Sequence, residues 1–301
     1  MKIGIPRALL YYWYGHIWEN FLQNCGHDVI ISNPTERRTI SKGSTVGVDE
    51  LCLPVKIFLG HICELSDRVD YILIPHLIKV EKSAYICPKF MGLPDIVAHA
   101  VPEVRSKMIC LQVGPQEFEM IQCLKNLSIK MGWPHPTEIT ANLKTPGEQF
   151  LLKNYLPVSN ARLKFGVIGH PYCLYDSTFN LHLFDFLFKA GLTILTPEMT
   201  PPYYQGLGSG KLTKDLFWTI GKMQFDALDW MLTEERVHGI IQVTPFACGP
   251  EAIVGDLLER RVKEAGVPYM KLSFEEHSGE AGVITRLEAF TDLVNYRSRV
   301  C

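Results

Sequence analysis

The 301-residue sequence contains no Cys-x-x-Cys pair, although it carries nine cysteines. Local structural zinc sites and thioredoxin-like dithiols use such pairs, so the sequence supports neither. The odd cysteine count and its scattered spacing also speak against a disulfide framework. Charge of one sign is not in excess: 30 Lys and Arg face 32 Asp and Glu, for a net charge of -2. No basic surface therefore points to nucleic acid or anionic lipid. No apolar run approaches membrane-spanning length. Met1–Arg7 is interrupted by Pro6 and Arg7 before a signal-peptide core can form. The expectation is a cytoplasmic protein with reduced thiols and with neither nucleic acid nor membrane as partner.

Two phosphate-binding signatures are also missing. No Gly-x-Gly-x-x-Gly follows the first strand-like segment, which removes support for a dinucleotide site. The run Gly206-Leu207-Gly208-Ser209-Gly210-Lys211 resembles a phosphate loop, but Gln205 and Leu212 stand where that loop needs glycine and a hydroxyl residue. It reads as a flexible loop.

What the chain does have is alternating β and α patterning. Strands are expected over Lys2–Pro6, His27–Ser32, Asp70–Pro75 and Lys107–Gln112. Helices are expected over Leu9–Asn24, ending at Cys25-Gly26, over about Met91–Ala100, and over Gln116–Met131. A proline-containing stretch then reads as a linker with one helix near Glu148–Asn154. The pattern restarts at Leu163–Pro171, which echoes Met1–Arg7. Phe179–Ala190, Gly191 and Leu192–Thr196 echo the first helix, its glycine stop and the second strand. Gly239–Val243 echoes Asp70–Pro75, and a last strand is expected at Tyr269–Ser273. The expected architecture is α/β: two Rossmann-like or flavodoxin-like halves with parallel sheets and a cleft between them. An N-terminal domain at 1–135, a linker at 136–160 and a C-terminal domain at 161–301 follow.

Three cysteines share one local setting: Cys52-Leu53-Pro54, Cys87-Pro88 and Cys248-Gly249-Pro250. Proline favours the first helical turn, so each thiol is expected just ahead of a helix N-terminus, where the dipole favours thiolate. Taken singly, each reads as a small buried hydrophobe. Together, at strand ends and helix starts, they read as a site. Three thiolates far apart in sequence fit an iron–sulfur cluster better than zinc, with one iron corner left to another ligand. Cys25, Cys63, Cys110 and Cys123 read as core, Cys301 as a terminal residue, and Cys173 as a secondary ligand candidate.

Glu50 and Lys56 flank Cys52 closely enough to act on an anionic cluster or substrate. Glu275–Gly282 joins the last strand to a final helix and holds His277 and Glu280. It reads equally as a solvated loop and as a proton-transfer group at a strand's carboxyl end. The catalytic candidates are thus Glu50, Lys56, His277 and Glu280.

Several segments taken together resemble a known family. They are Ile3–Leu9 (IGIPRAL), Glu50–Lys56 (ELCLPVK), Gly60-His61, Cys87-Pro88, Gly166–Tyr172 (GVIGHPY), Thr244–Pro250 (TPFACGP) and Glu276–Gly282 (EHSGEAG). The combination resembles proteins related to acyl-CoA dehydratase activases, which are similar to the iron–sulfur subunits of 2-hydroxyacyl-CoA dehydratases and to double-cubane cluster proteins. The resemblance implies an oxygen-sensitive iron–sulfur protein of anaerobes that receives low-potential electrons from a separate ATP-hydrolysing activase. Carried over, it makes Cys52, Cys87 and Cys248 the ligands of a 4Fe-4S cluster, with a double-cubane 8Fe-9S cluster as the alternative. An iron without a cysteine ligand would bind a substrate oxygen. The resulting expectation is reduction of a small substrate or onward electron transfer, with a homo-oligomer admitted. The rival is a non-catalytic small-ligand-binding or cluster-assembly module.

Overall fold

The protein is described by a computed structural model, which covers residues 1–82, 84–114, 119–134 and 163–300. The expected linker over 136–160, its helix near 148–154 and the start of the helix expected from residue 116 lie outside the described residues. The chain divides into two compact units. One comprises Met1–Gln149 with Phe217–Thr219, and the other Phe150–Leu216 with Ile220–Cys301.

In the first unit the order is β1 (Lys2–Ile5), α1 (Tyr11–Asn24), β2 (Asp28–Ile31), α2 (Arg37–Val46), α3 (Leu53–Leu65), β3 (Tyr71–Leu77), α4 (Pro88–Met91), α5 (Leu93–Ala100), β4 (Met108–Val113) and α6 (Met120–Met131). Its strands form one all-parallel sheet in the order β2-β1-β3-β4, with Ile3 opposite both Val29 and Tyr71, and Leu73 opposite Ile109. The second unit runs β5 (Lys164–Gly169), α7 (Pro171–Leu174), α8 (Leu183–Lys189), β6 (Thr193–Leu195), α9 (Thr219–Thr233), β7 (Gly239–Pro245), α10 (Gly249–Glu264), β8 (Tyr269–Phe274) and α11 (Glu280–Val300). Its sheet has the matching order β6-β5-β7-β8, also all parallel. Two α/β halves of Rossmann or flavodoxin type are therefore present, as the repeated pattern predicts.

Local rules explain the repeat. Leu22 and Leu187 occupy the same place near the ends of α1 and α8. The His27 N–H donates to the Leu22 carbonyl and the Leu192 N–H to that of Leu187, across Gly26 and Gly191 at φ +81° and +71°. This is the Schellman arrangement, in which only glycine takes the left-handed position without strain. α1 begins at Tyr11, two residues later than expected, because Leu9 turns the chain with φ 52°.

Burial follows strand position. Every residue of the central strand β7 is buried, while the outer strands β4 and β8 alternate between buried and outward-facing residues. This corrects one expectation: Cys110, taken as core, lies on the outward face of β4 and is exposed.

Two helices of the first unit meet backbone to backbone. A Cβ on Gly43 of α2 would fall 1.7 Å from the Lys56 carbonyl oxygen of α3, and one on Gly60 would fall 2.0 Å from that of Thr39. Thr39 Oγ1 also donates to Glu64 Oε1 at 3.0 Å. This contact fixes α3, and with it the cysteine at the head of α3.

Candidate functional site

All three of the cysteines singled out by their prolines occupy the N-cap position of a helix: Cys52 of α3, Cys87 of α4 and Cys248 of α10. In each case proline stands at the first or second helical position.

In the first unit, Cys52 and Cys87 come from separate connections, one before α3 and one after β3. They approach closely enough for the charge of Cys52 to act on Cys87. Burial pushes both thiols up from their ordinary value. For Cys52, the positive charge of Lys89, the Val55 N–H and, less strongly, Lys56 pull the other way without reversing the shift. The expectation of acidic thiols is thus corrected: the helix starts are there, but desolvation outweighs them.

Two lysines hold the loop that leads into this corner. Lys56 Nζ donates to the Asp49 carbonyl at 3.3 Å, and Lys89 Nζ to the Glu50 carbonyl at 2.9 Å. Lys56 is buried, so its ammonium lies inside the fold. The Glu50 side chain is exposed. Cys87 is anchored from the other side through Tyr85. The Tyr85 N–H donates to the Phe217 carbonyl, the Thr219 N–H donates to the Tyr85 carbonyl, each at 2.9 Å, and the Tyr85 and Phe217 rings stack at 4.8 Å. The sequence pattern gave no signal that residues 217–219 complete the first unit.

In the second unit, Cys248 stands at a sharp turn. β7 ends at Pro245, Ala247 takes φ 60°, and α10 begins one residue after Cys248. A left-handed non-glycine residue directly before the thiol marks a strained corner. One turn into α10, Glu251 is 2 % exposed and meets a buried polar group that the cysteine spacing did not reveal. His170, which heads α7 at the end of β5, places Nδ1 3.4 Å from Glu251 Oε2. Gln242 Nε2 donates to Glu251 Oε1 at 2.6 Å, and Gln224 Nε2 to Oε2 at 3.3 Å. The His170 ring stacks on Tyr172 at 5.0 Å. Burial lowers the His170 pKa, against the opposing pull of Glu251, and favours the neutral imidazole. The signal available in the sequence was the equivalence of Gly169-His170-Pro171 with Ile5-Pro6-Arg7: both triplets sit at the end of the first strand of a half. His277 and Glu280 are exposed, Glu280 as the first residue of α11. Cys173 is completely buried.

The run Gly206–Lys211 is not a free loop. Asp226 of α9 accepts the Gly206 N–H at 2.8 Å and the Ser209 N–H at 2.6 Å. A carboxylate of the protein therefore occupies the place a phosphate would take, and the expected flexibility is replaced by an anchored turn. Gly208 lets the turn lie flat on α9, since a Cβ there would come within 2.9 Å of the Asp229 side chain. Asp229 accepts bonds from Tyr204, Lys211 and Arg261. Burial alone would raise its pKa, and those three donors more than offset this, so it stays below its ordinary value.

The donors suited to a soft metal are Cys52 and Cys87 in the first unit and Cys248 in the second. Among the described residues, no group of three or more His, Cys, Asp or Glu is gathered in a form that could hold a metal ion. No disulfide joins the described cysteines. No helix among the described residues is long and apolar enough to cross a membrane.

Comparison with known families matches residues 2–200 to the family described as CoA enzyme activase uncharacterised domain (DUF2229). That span covers well over half of the chain, and the chain belongs to this family. No curated protein matches it.

Proposed function

We propose, with membership of the CoA enzyme activase domain family as the premise, that this chain is an iron–sulfur protein of the 2-hydroxyacyl-CoA dehydratase type. It accepts low-potential electrons from an ATP-dependent activase and uses its cluster to reduce a small substrate or to pass electrons onward. The observation that carries the reading is that Cys52 and Cys87, two helix-capping thiols from separate connections, lie within electrostatic reach of each other. Cys248 holds the corresponding place after β7, the counterpart of β3. Cys52 and Cys87 would hold two corners of a 4Fe-4S cluster, with the larger double-cubane cluster as the alternative, and Cys248 is the ligand that the family resemblance adds.

The chemistry of the donor set fits such a group. When bound, the cluster would supply a one-electron carrier and an iron open to a substrate oxygen. The chain's own residues do the rest. The raised pKa of Cys52 and Cys87 means that loading releases their protons to solvent. Lys56 and Lys89 hold the loop before Cys52 and place positive charge beside thiolates that would otherwise repel each other. Glu50 in the first unit, and His277 and Glu280 in the second, are exposed and remain each unit's own candidates for proton exchange.

The test is anaerobic reconstitution with iron and sulfide, followed by iron counting and electron paramagnetic resonance before and after addition of an activase with ATP. The expected result is stoichiometric iron, a signal that appears on reduction, and loss of both in Cys87→Ala. A chain that retains no iron, or that behaves the same after the substitution, overturns the reading.

A second reading rests on the family's description, which names the activase. In it this chain is itself of the CoA enzyme activase type, and a dehydratase is its partner. The glycine run cannot supply the ATP site for that role, because Asp226 already takes its amides. Reduction of a dehydratase by the loaded chain would favour this second reading.

A further inference from the structure

The first unit holds a polar cluster that the cysteine corners do not use. In the order β2-β1-β3-β4, the connections leaving β1 and β3 run in opposite directions, and the carboxyl ends of those strands form the crevice where α/β sheets take ligands. Arg7 is the second residue beyond β1. Its N–H donates to Ser32 Oγ at 2.8 Å, which fixes the backbone, and its guanidinium carbon lies 5.8 Å from the centre of the Tyr11 ring. Its Nε is buried and has no acceptor among the described residues, and no described carboxylate pairs with it.

His61 of α3 is tied to the same loop after β2: Ser32 takes the Arg7 N–H, and Thr35, three residues on, meets His61. It is fully excluded from solvent, and its Nε2 lies 3.1 Å from Thr35 Oγ1. Its Nδ1 is buried and also lacks a partner among the described residues. Burial, with the Arg7 charge added, lowers its pKa to about 3, so the ring is neutral near pH 7. In the tautomer in which the Thr35 hydroxyl donates to Nε2, the ring proton sits on Nδ1, and it is this form that offers a donor to an anion.

Buried polar atoms without partners are rare, and Arg7, half-buried as a residue, keeps such an atom at its Nε. Here two unpartnered buried nitrogens accompany a positive charge that no described carboxylate pairs, and an oxyanion is the kind of ligand such donors suit. We propose that this crevice binds an oxyanion, the carboxylate or phosphoryl group of a small ligand, with Arg7 as the charged clamp and His61 Nδ1 as the second donor. The assignment does not rest on the cluster reading, because no cysteine takes part in it.

The experiment is a thermal-shift titration of the full chain without a cluster, using inorganic phosphate and sodium acetate against sodium chloride at constant ionic strength. The expected result is a saturable rise in Tm with at least one of the two anions beyond chloride. Response to acetate alone identifies a carboxylate, and response to phosphate alone a phosphoryl group. Arg7→Gln should weaken binding at least tenfold and His61→Gln by a smaller factor, since the Ser32 contact uses only the Arg7 backbone. Where Arg7→Gln does not fold, Arg7→Lys keeps the charge but loses the planar fork, and at least a threefold loss is expected. No response to either anion, or an unchanged response in the Arg7 variants, overturns the proposal.

Discussion

His170 and Glu251 face each other at 3.4 Å, Nδ1 to Oε2, with side chains only 6 % and 2 % exposed. The imidazole is nonetheless held below its ordinary pKa, because burial outweighs the neighbouring carboxylate. Electrostatics at this corner of the second unit is therefore set by desolvation, as it is at the cysteine corner of the first.

Acid should destabilise the protein through its buried histidines. His170 and His61 both have lowered pKa values, His61 at about 3. Unfolding restores the ordinary value near 6.5, so the unfolded chain binds more protons as pH falls below that point. Stability from these groups is complete above about pH 6.5 and declines as pH drops, by about 1.4 kcal/mol per pH unit for each histidine that stays neutral when folded. Urea midpoints measured between pH 7 and 4.5 should fall, and the slope should be shallower in His61→Gln. A midpoint that is flat over this range would contradict the desolvation argument.

The α2–α3 contact tolerates no side chain. Gly43→Ala or Gly60→Ala places a methyl group within 1.7 or 2.0 Å of a backbone carbonyl oxygen, which no rotamer change relieves. The helices must separate, at a cost of about 1–3 kcal/mol or more. Chemical denaturation should show this loss. Because α3 carries Cys52, the same variants should also lower iron uptake, whereas Gly279→Ala, with open space around its Cβ position, should do neither.

Thiol labelling should follow exposure rather than position in the sequence. Cys110 faces outward on its edge strand, while Cys52 is 9 % and Cys173 0 % exposed. With burial raising the Cys52 pKa, little thiolate is present at pH 7. Among Cys110, Cys52 and Cys173, a maleimide followed by peptide mass spectrometry should modify Cys110 first, Cys52 slowly, and Cys173 only after denaturation. Faster modification of Cys52 than of Cys110 would show that the helix dipole prevails over burial.

Much of the fold was legible because its signals are local. Short apolar runs, glycine stops after Cys25 and Ala190, and prolines at helix starts each act within a few residues, and both halves repeat them in the same order. The N-cap placement of Cys52, Cys87 and Cys248 was legible for the same reason. Cys110 was misread because apolar strand composition does not distinguish a central strand from an edge. The glycine run was misread because its amides found Asp226, a partner on another element that no local pattern announces.

The sequence by itself determined the two parallel α/β halves and which thiols head helices, since propensity, capping and turn chemistry depend on near neighbours. Only the tertiary structure decided what surrounds those thiols. It brought Cys87 within electrostatic reach of Cys52, turned Lys56 and Lys89 onto the preceding loop, placed Glu251 against His170, and left Arg7 Nε without an acceptor among the described residues. Burial and pairing across elements fix charge states, and these depend on distances through space that the order of residues along the chain does not contain.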